Sequence, residues 1–182
     1  MKRGHESHRQ VPCGIAEANV TLIADGEYYD TVQHLVRRCK GRFFANVFIV
    51  DPTPGRDPML KVDTLLSDMR LALQRGVDAR LIIGGSRSNV QIAEATIMAN
   101  WRARQLGVPT RLIAFKPRLS SHAKVVVSDT LTLAGSHNWS GGAFSGAQVQ
   151  DSVLIDSADA AAFFASRFEQ QWRAAKRQSD HV

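Results

Sequence analysis

The sequence predicts an α/β domain built on a mixed β-sheet flanked by helices. Strand-like runs alternate with helix-period apolar stripes along most of the 182 residues, the pattern of a layered α/β fold. Two β-branched runs late in the chain are separated only by a short polar turn, which predicts a hairpin and argues against an all-parallel sheet.

Residues 1 to about 16 are polar, hold Pro12 and Gly14 and show no periodicity, so they read as a flexible basic arm. The run NVTLIA from Asn19 reads as the first strand. Val32, Leu35, Val36 and Cys39 then recur at i, i+3, i+4 and i+7, one face of a helix that Lys40 and Gly41 close. RFFANVFIV, from Arg42 to Val50, is apolar almost throughout and reads as a central strand buried on both faces. DPTPGRDP is a loop by its prolines and glycine. A second helix carries Val62, Leu65, Leu66, Met69 and Leu73 and ends at Gly76, and ARLIIGG follows as a strand. Val90, Ala93, Ile97 and Trp101 mark a third helix that stops near Gly107, and TRLIAF is the next strand. The hairpin, the strand DSVLID and a C-terminal helix complete the domain. Ser157 is the expected N-cap of that helix, Asp159 lies in its first turn, and Phe164, Phe168 and Trp172 form its buried stripe. These elements fill one domain over residues 17–178, with a tail at 179–182. A chain of this size buries roughly 70% of its unfolded surface and needs no covalent staple.

Lys and Arg outnumber Asp and Glu by 23 to 17, a net charge of +6 that favours a polyanionic partner. Nucleic acid is expected ahead of a membrane surface, because no basic amphipathic helix with an aromatic face stands out. No apolar run is long enough to cross a bilayer, so no stable membrane insertion is expected. The N-terminus lacks the apolar core of a secretory signal, and the expected location is cytoplasmic. Cys13 and Cys39 have neither metal nor redox spacing and read as reduced thiols, Cys39 buried on a helix.

The chemistry concentrates in SSHAKVVVSDTLTLAGSHNWSGG, from Ser120 to Gly142. Side chains alternate along a strand, so His122 and Lys124 point to the same side. LTLAG returns antiparallel and brings Gly135, Ser136, His137 and Asn138 back towards His122. One hairpin thus gathers an imidazole, an ammonium, a hydroxyl and a carboxamide. The imidazole can attack phosphorus or move a proton near neutral pH. The ammonium and the amide can hold non-bridging oxygens where charge spreads in the transition state. Gly135 permits close approach of the backbone, whose N–H groups are candidates to bind phosphate. Asp129 completes the motif and reads as structural or orienting rather than as a proton donor. His137 alternates away from Ser136 and Asn138 and reads as an outward or packed imidazole. A metal-dependent nuclease on His122, His137 and Asp129 is disfavoured, because the adjacent lysine opposes a cation; no metal and no cofactor are expected.

This pattern resembles the signature of the phospholipase D superfamily, His-x-Lys-x4-Asp followed by Gly-Ser-x-Asn. It is matched here by His122, Lys124, Asp129, Gly135, Ser136 and Asn138. The upstream ALQRGVDARLII is also similar to the helix–strand unit that members carry. The resemblance implies a phospholipase D-like fold and a metal-independent phosphodiesterase that works through a phosphohistidine. The chain departs from the pattern twice. The gap between Asp129 and Gly135 is five residues where members usually have six, and Gln150, beside Asp151, stands where members place a glutamate that orients the histidine. Gln150 can hydrogen-bond an imidazole without stabilising its charged form as a carboxylate does, and Asp151 is the alternative.

The two-step mechanism wants a nucleophile and a separate proton donor, yet His122 alone is followed at +2 by lysine. Larger members carry the motif twice, and small single-motif nucleases resemble this chain in length and assemble the site across a two-fold axis. A homodimer with its active site at the two-fold interface, possible within a larger assembly, is therefore expected. Lys116 and Arg118, just upstream of His122, and Arg87 in the turn GGSRSN are the expected phosphate-positioning residues of a nucleic-acid interface. Trp139 is placed either to stack a base or to pack at the dimer interface. DNA is expected ahead of RNA. A lipid phosphodiesterase and a catalytically weakened nucleic-acid-binding module are the alternatives.

Overall fold

The computed structural model describes residues 14–15, 17–113 and 121–175. Its strands are β1 (Asn19–Ala24), β2 (Arg42–Val47), β3 (Asp78–Ile83), β4 (Thr110–Leu112), β5 (Lys124–Ser128), β6 (Leu131–Gly135) and β7 (Asp151–Asp156). Its helices are α1 (Glu27–Arg38), α2 (Lys61–Gln74), α3 (Val90–Gln105), α4 (Gly141–Phe144) and α5 (Ala158–Ala174). The strands form one seven-stranded sheet in the order β1-β7-β6-β5-β2-β3-β4. β2, β3 and β4 pair in parallel, and the remaining pairs are antiparallel. The mixed sheet expected from the late hairpin is the sheet observed.

Alternation along β2 divides the molecule into layers. Phe43, Ala45 and Val47 point into the larger core, shared with Leu35 and Val36 of α1, Leu65 and Met69 of α2, Ala99 and Ala103 of α3 and Phe144 of α4. Phe44 points the other way and stacks on Phe168 of α5 at 4.6 Å. β2 is thus buried on both faces, as its nearly continuous apolar run predicts. The chain leaves the sheet after Val47, earlier than the run to Val50 suggests, and Val50 makes only an isolated parallel bridge to Trp139. Ion pairs tie the helices of the larger layer together: Arg37 to Asp68 at 3.0 Å between α1 and α2, and Arg102 to Asp63 between α3 and α2. Ser157 caps α5 as expected, accepting from Ala160 N–H.

The third helix forms where its apolar stripe marks it, but that stripe is not its buried face. Ala95, Thr96, Ala99 and Ala103 are buried, while Val90, Ile97 and Trp101 are 71%, 58% and 55% exposed. Two stripes of helical period run along this helix. The small residues take the inner one because a face of alanines lets α3 lie close to its neighbours, and the large apolar residues are left outside. Among the described residues no helix is long and apolar enough to cross a membrane.

Strand direction decides where chemistry gathers. β5 runs antiparallel to β2, β6 antiparallel to β5, and β7 antiparallel to β6. The ends of β2, β3 and β6 and the starts of β5 and β7 therefore share one edge of the sheet, and the loops from that edge hold residues 48–60, 84–89, 121–123 and 136–150.

Candidate active site

The site is built on the hairpin. Val125 pairs with Ala134, which sets Lys124 level with Gly135 and returns residues 136–138 to the edge where His122 sits. His122 is exposed, whereas Lys124 is only 8% exposed. Lys124 Nζ lies 3.2 Å from His122 Nδ1 and 3.1 Å from the His122 carbonyl oxygen. An ammonium has no lone pair, so while Lys124 is protonated Nδ1 is the acceptor and the ring proton sits on Nε2. Burial pushes the Lys124 pKa below the ordinary lysine value.

Phe48 supports both groups: its ring lies 4.3 Å from the His122 ring and 5.1 Å beneath Lys124 Nζ. Behind His122 a hydrogen-bond chain fixes the loop. Gln171 of α5 accepts from Asn46 Nδ2, Asn46 Oδ1 accepts from Ser121 Oγ at 3.1 Å, and Ser121 Oγ accepts from Ala123 N–H at 3.4 Å. Gly84 makes room for this loop, since a Cβ there would lie 2.2 Å from Ser121 O. None of these supporting residues stood out in the sequence. Phe48 lay inside an apolar run, and the double glycine after β3 was the one available signal.

Asn138 reaches the same edge, with Oδ1 accepting from Ile49 N–H at 3.1 Å, and its Nδ2 donates to no described residue. The other motif residues are spent on structure. Ser136 zips β6 to β7: its N–H and Oγ donate to Asp151 O at 2.9 and 3.2 Å, and Oγ accepts from Asp151 N–H at 3.1 Å. A Cβ on Gly135 would lie 2.1 Å from Ser152 Oγ and 2.3 Å from Asp151 O, so this glycine serves the approach of β7 rather than of phosphate. Gln150 Nε2 donates to Ser136 O at 3.2 Å, and Asp151 is exposed. Within the chain neither reaches His122, whose hydrogen-bond partner among the described residues is Lys124.

Asp129, grouped with the catalytic residues by its motif, lies at the opposite end of β5, about 16 Å from Lys124 at a rise of about 3.3 Å per residue. There it takes the positive φ of the hairpin turn, 51°, and its carboxylate accepts N–H bonds from Lys40, Gly41 and Arg42 at 2.9, 2.9 and 3.0 Å. Burial alone would raise its pKa, but these N–H groups hold it below the usual value. His137 is fully buried and stacks on Tyr28 at 4.3 Å with the rings 2° from parallel. Its ring nitrogens lie 2.8 Å from Ser152 Oγ and 3.0 Å from Asp25 O, and burial lowers its pKa. It is the packed imidazole of the two possibilities. Trp139 is also fully buried, so it neither stacks a base nor meets a second subunit. Arg87 is exposed at the site edge. Lys116 and Arg118 lie outside the described residues. Among the described residues no group of three or more His, Cys, Asp or Glu side chains is placed to hold a metal ion.

The family model described as "Cardiolipin synthase, PLD-like domain" matches residues 57–172, a span that includes His122, Lys124 and Asn138. No curated protein matches the sequence. The fold is similar to that of Nuc, a phospholipase D family member from Salmonella typhimurium, with a TM-score of 0.67 and 22% identity over 86% of this chain and 95% of that one. It is similar also to NucT from Helicobacter pylori, with a TM-score of 0.60 and 14% identity over 86% of this chain and 97% of that one. A third likeness is to an archaeal chromatin protein whose structure shows a novel mode of DNA binding, with a TM-score of 0.54 and 13% identity over 86% of this chain and 53% of that one. With its mixed sheet, its His-x-Lys hairpin and a family match over most of its length, this chain belongs to the phospholipase D superfamily.

Proposed function

We propose that this protein is a cytoplasmic, metal-independent nuclease that cleaves DNA ahead of RNA through a covalent phosphohistidine on His122. The observation that carries the reading is an exposed imidazole held at 3.2 Å by a nearly buried ammonium. Two copies of that pair supply what a phosphodiester needs. In one subunit Nε2–H protonates the departing oxygen while Lys124 passes its hydrogen-bonded proton to Nδ1, so that the ring stays neutral. In the other, a non-bridging phosphate oxygen draws Lys124 Nζ away and the ring proton moves through water to Nδ1. The free Nε2 then attacks, forming the P–N bond as the P–O bond breaks. The first His122, now a neutral ring with its proton on Nδ1 and a free Nε2, takes a proton from water there and returns the Nδ1 proton to Lys124. The resulting hydroxide attacks phosphorus, expels the second His122 and regenerates both rings. Each proton transfer contributes about 10²–10⁴-fold. Lys124 and the unengaged Nδ2 of Asn138 hold the equatorial oxygens.

The second copy has a surface to dock on. Val90, Ile97 and Trp101 form an exposed apolar stripe on α3, which leaves the site edge directly after the loop that packs on Ser121. Burying each such side chain stabilises by about 1.5–3 kcal/mol. Two α3 helices side by side about an axis along their length keep both His122 loops at the same end. The net charge of +6 suits a nucleic-acid backbone, with Arg87, Lys116 and Arg118 as its contacts.

The test incubates purified protein with DNA and RNA in EDTA, beside His122→Ala. Cleavage that survives chelation and falls at least about 10³-fold in the variant supports the reading. Cleavage that needs added metal, or survives the substitution, refutes it. Release of headgroups from phosphatidyl vesicles with nucleic acid untouched would assign a lipid phosphodiesterase instead.

A further inference from the structure

Beside Asn138 the fold leaves a cavity of about 300 Å³ that the mechanism above does not use. Ile49 forms part of its wall, and it is the Ile49 N–H that holds Asn138 Oδ1. Phe48, the preceding residue, lies against His122. The cavity wall is therefore one hydrogen bond from Asn138 and one residue along the chain from the ring that packs on His122.

Its chemistry does not suit a second phosphate. Among the described residues Arg56 is the one cation in the wall, and Asp51, only 7% exposed, holds it through Nε at 2.6 Å and Nη2 at 3.4 Å. The pair is close to neutral and fixes the plane of the guanidinium. Gln91 and Gln148 add carboxamides, each with a donor and an acceptor. Gln148 lies across Gly142, where a Cβ would meet its Nε2 at 3.4 Å. Ile49 and Ile92 supply apolar wall. A fixed guanidinium plane, two amides and aliphatic flanks make a recess for a flat, neutral, hydrogen-bonding ring.

We propose that this cavity takes the nucleobase of a nucleotide adjoining the cleaved phosphate, so that the enzyme reads bases there rather than the backbone alone. The assignment rests on the nuclease reading. Arg56 offers the stacking plane, and Gln91 and Gln148 the edge contacts.

Binding separates the two claims. The His122→Ala protein is titrated by fluorescence anisotropy against single strands of each base and an abasic strand of equal length, at one fixed salt concentration. Strands with bases should bind about tenfold tighter than the abasic strand. Adding Gln91→Ala, Gln148→Ala or Arg56→Met should remove most of that margin and leave abasic binding unchanged. Should Arg56→Met unfold by stranding Asp51, the two glutamine variants carry the measurement. Equal affinity for abasic and ordinary strands overturns the proposal, as does equal weakening of both by the substitutions. Absence of cleavage by wild type in EDTA overturns the nuclease reading alone, because the base margin is read from binding.

Discussion

Lys124 Nζ donates to both Nδ1 and the carbonyl oxygen of His122, at 3.2 and 3.1 Å, so one nearly buried ammonium fixes the tautomer and the loop of a single histidine. Lys124→Met should lower kcat by about 10²–10³-fold without lowering thermal stability, since it removes a desolvated charge. Burial depresses the Lys124 pKa, and activity needs the ammonium. Activity should therefore fall as pH rises through a value below that of an ordinary lysine. Lys124→Arg, if active, should lack that alkaline limb, and a wild-type profile without one would remove the ammonium from the mechanism.

Gly84 sits behind the catalytic loop with 2.2 Å between its virtual Cβ and Ser121 O. Gly84→Ala must push the His122 loop outward or strain the end of β3, at a cost of about 1–3 kcal/mol. The expected signature is a fall in kcat of about 10²-fold, the scale of a 1 Å misplacement, with KM little changed. Steady-state kinetics beside thermal melts give both numbers.

Asp129 is expected to matter for folding and not for chemistry. Asp129→Ala removes the acceptor of three backbone N–H groups and should destabilise by about 1.5–3 kcal/mol, leaving kcat of the folded protein within about twofold. Its folded pKa is depressed. Its stabilisation is therefore fully present above the unfolded value, about 3.9, and is lost as pH falls through the folded value. Urea melts between neutral pH and pH 3 should show that loss in wild type and not in the variant.

His137 gives a second acid-side signature at higher pH. It is buried with its pKa lowered, so the unfolded chain binds its proton more readily. Stability should be complete above about pH 6.5 and decline as pH falls through the lower folded value. Each kcal/mol lost should lower Tm by about 2–4 °C in a chain of this size. His137→Gln should be less stable at neutral pH but flatter with pH; an equally steep acid slope in that variant would assign the effect to other groups.

Much of this was legible because period and direction constrain a hairpin tightly. Alternation alone set His122 beside Lys124, and the antiparallel return alone brought Asn138 to the same edge. The motif misled where it joined residues by spacing and not by place. Asp129 shares the pattern but caps the far turn, and the hydroxyl of Ser136 serves the β6–β7 seam. On α3 the apolar stripe was real, but a helix with two stripes does not announce which faces inward. Only the fit of Ala99 and Ala103 into the core decides it. Phe48, Asn46 and Gly84 support the site through contacts across the sheet that no local pattern encodes.

Subunit mixing tests the central claim most directly. Wild-type chains are unfolded and refolded with an equal amount of His122→Ala chains, and cleavage in EDTA is compared with wild type at the same total concentration. If every site needs His122 from both chains, only wild-type pairs are active and activity falls to about one quarter. Activity of one half, the value for sites complete in each chain, would contradict a shared pair of imidazoles.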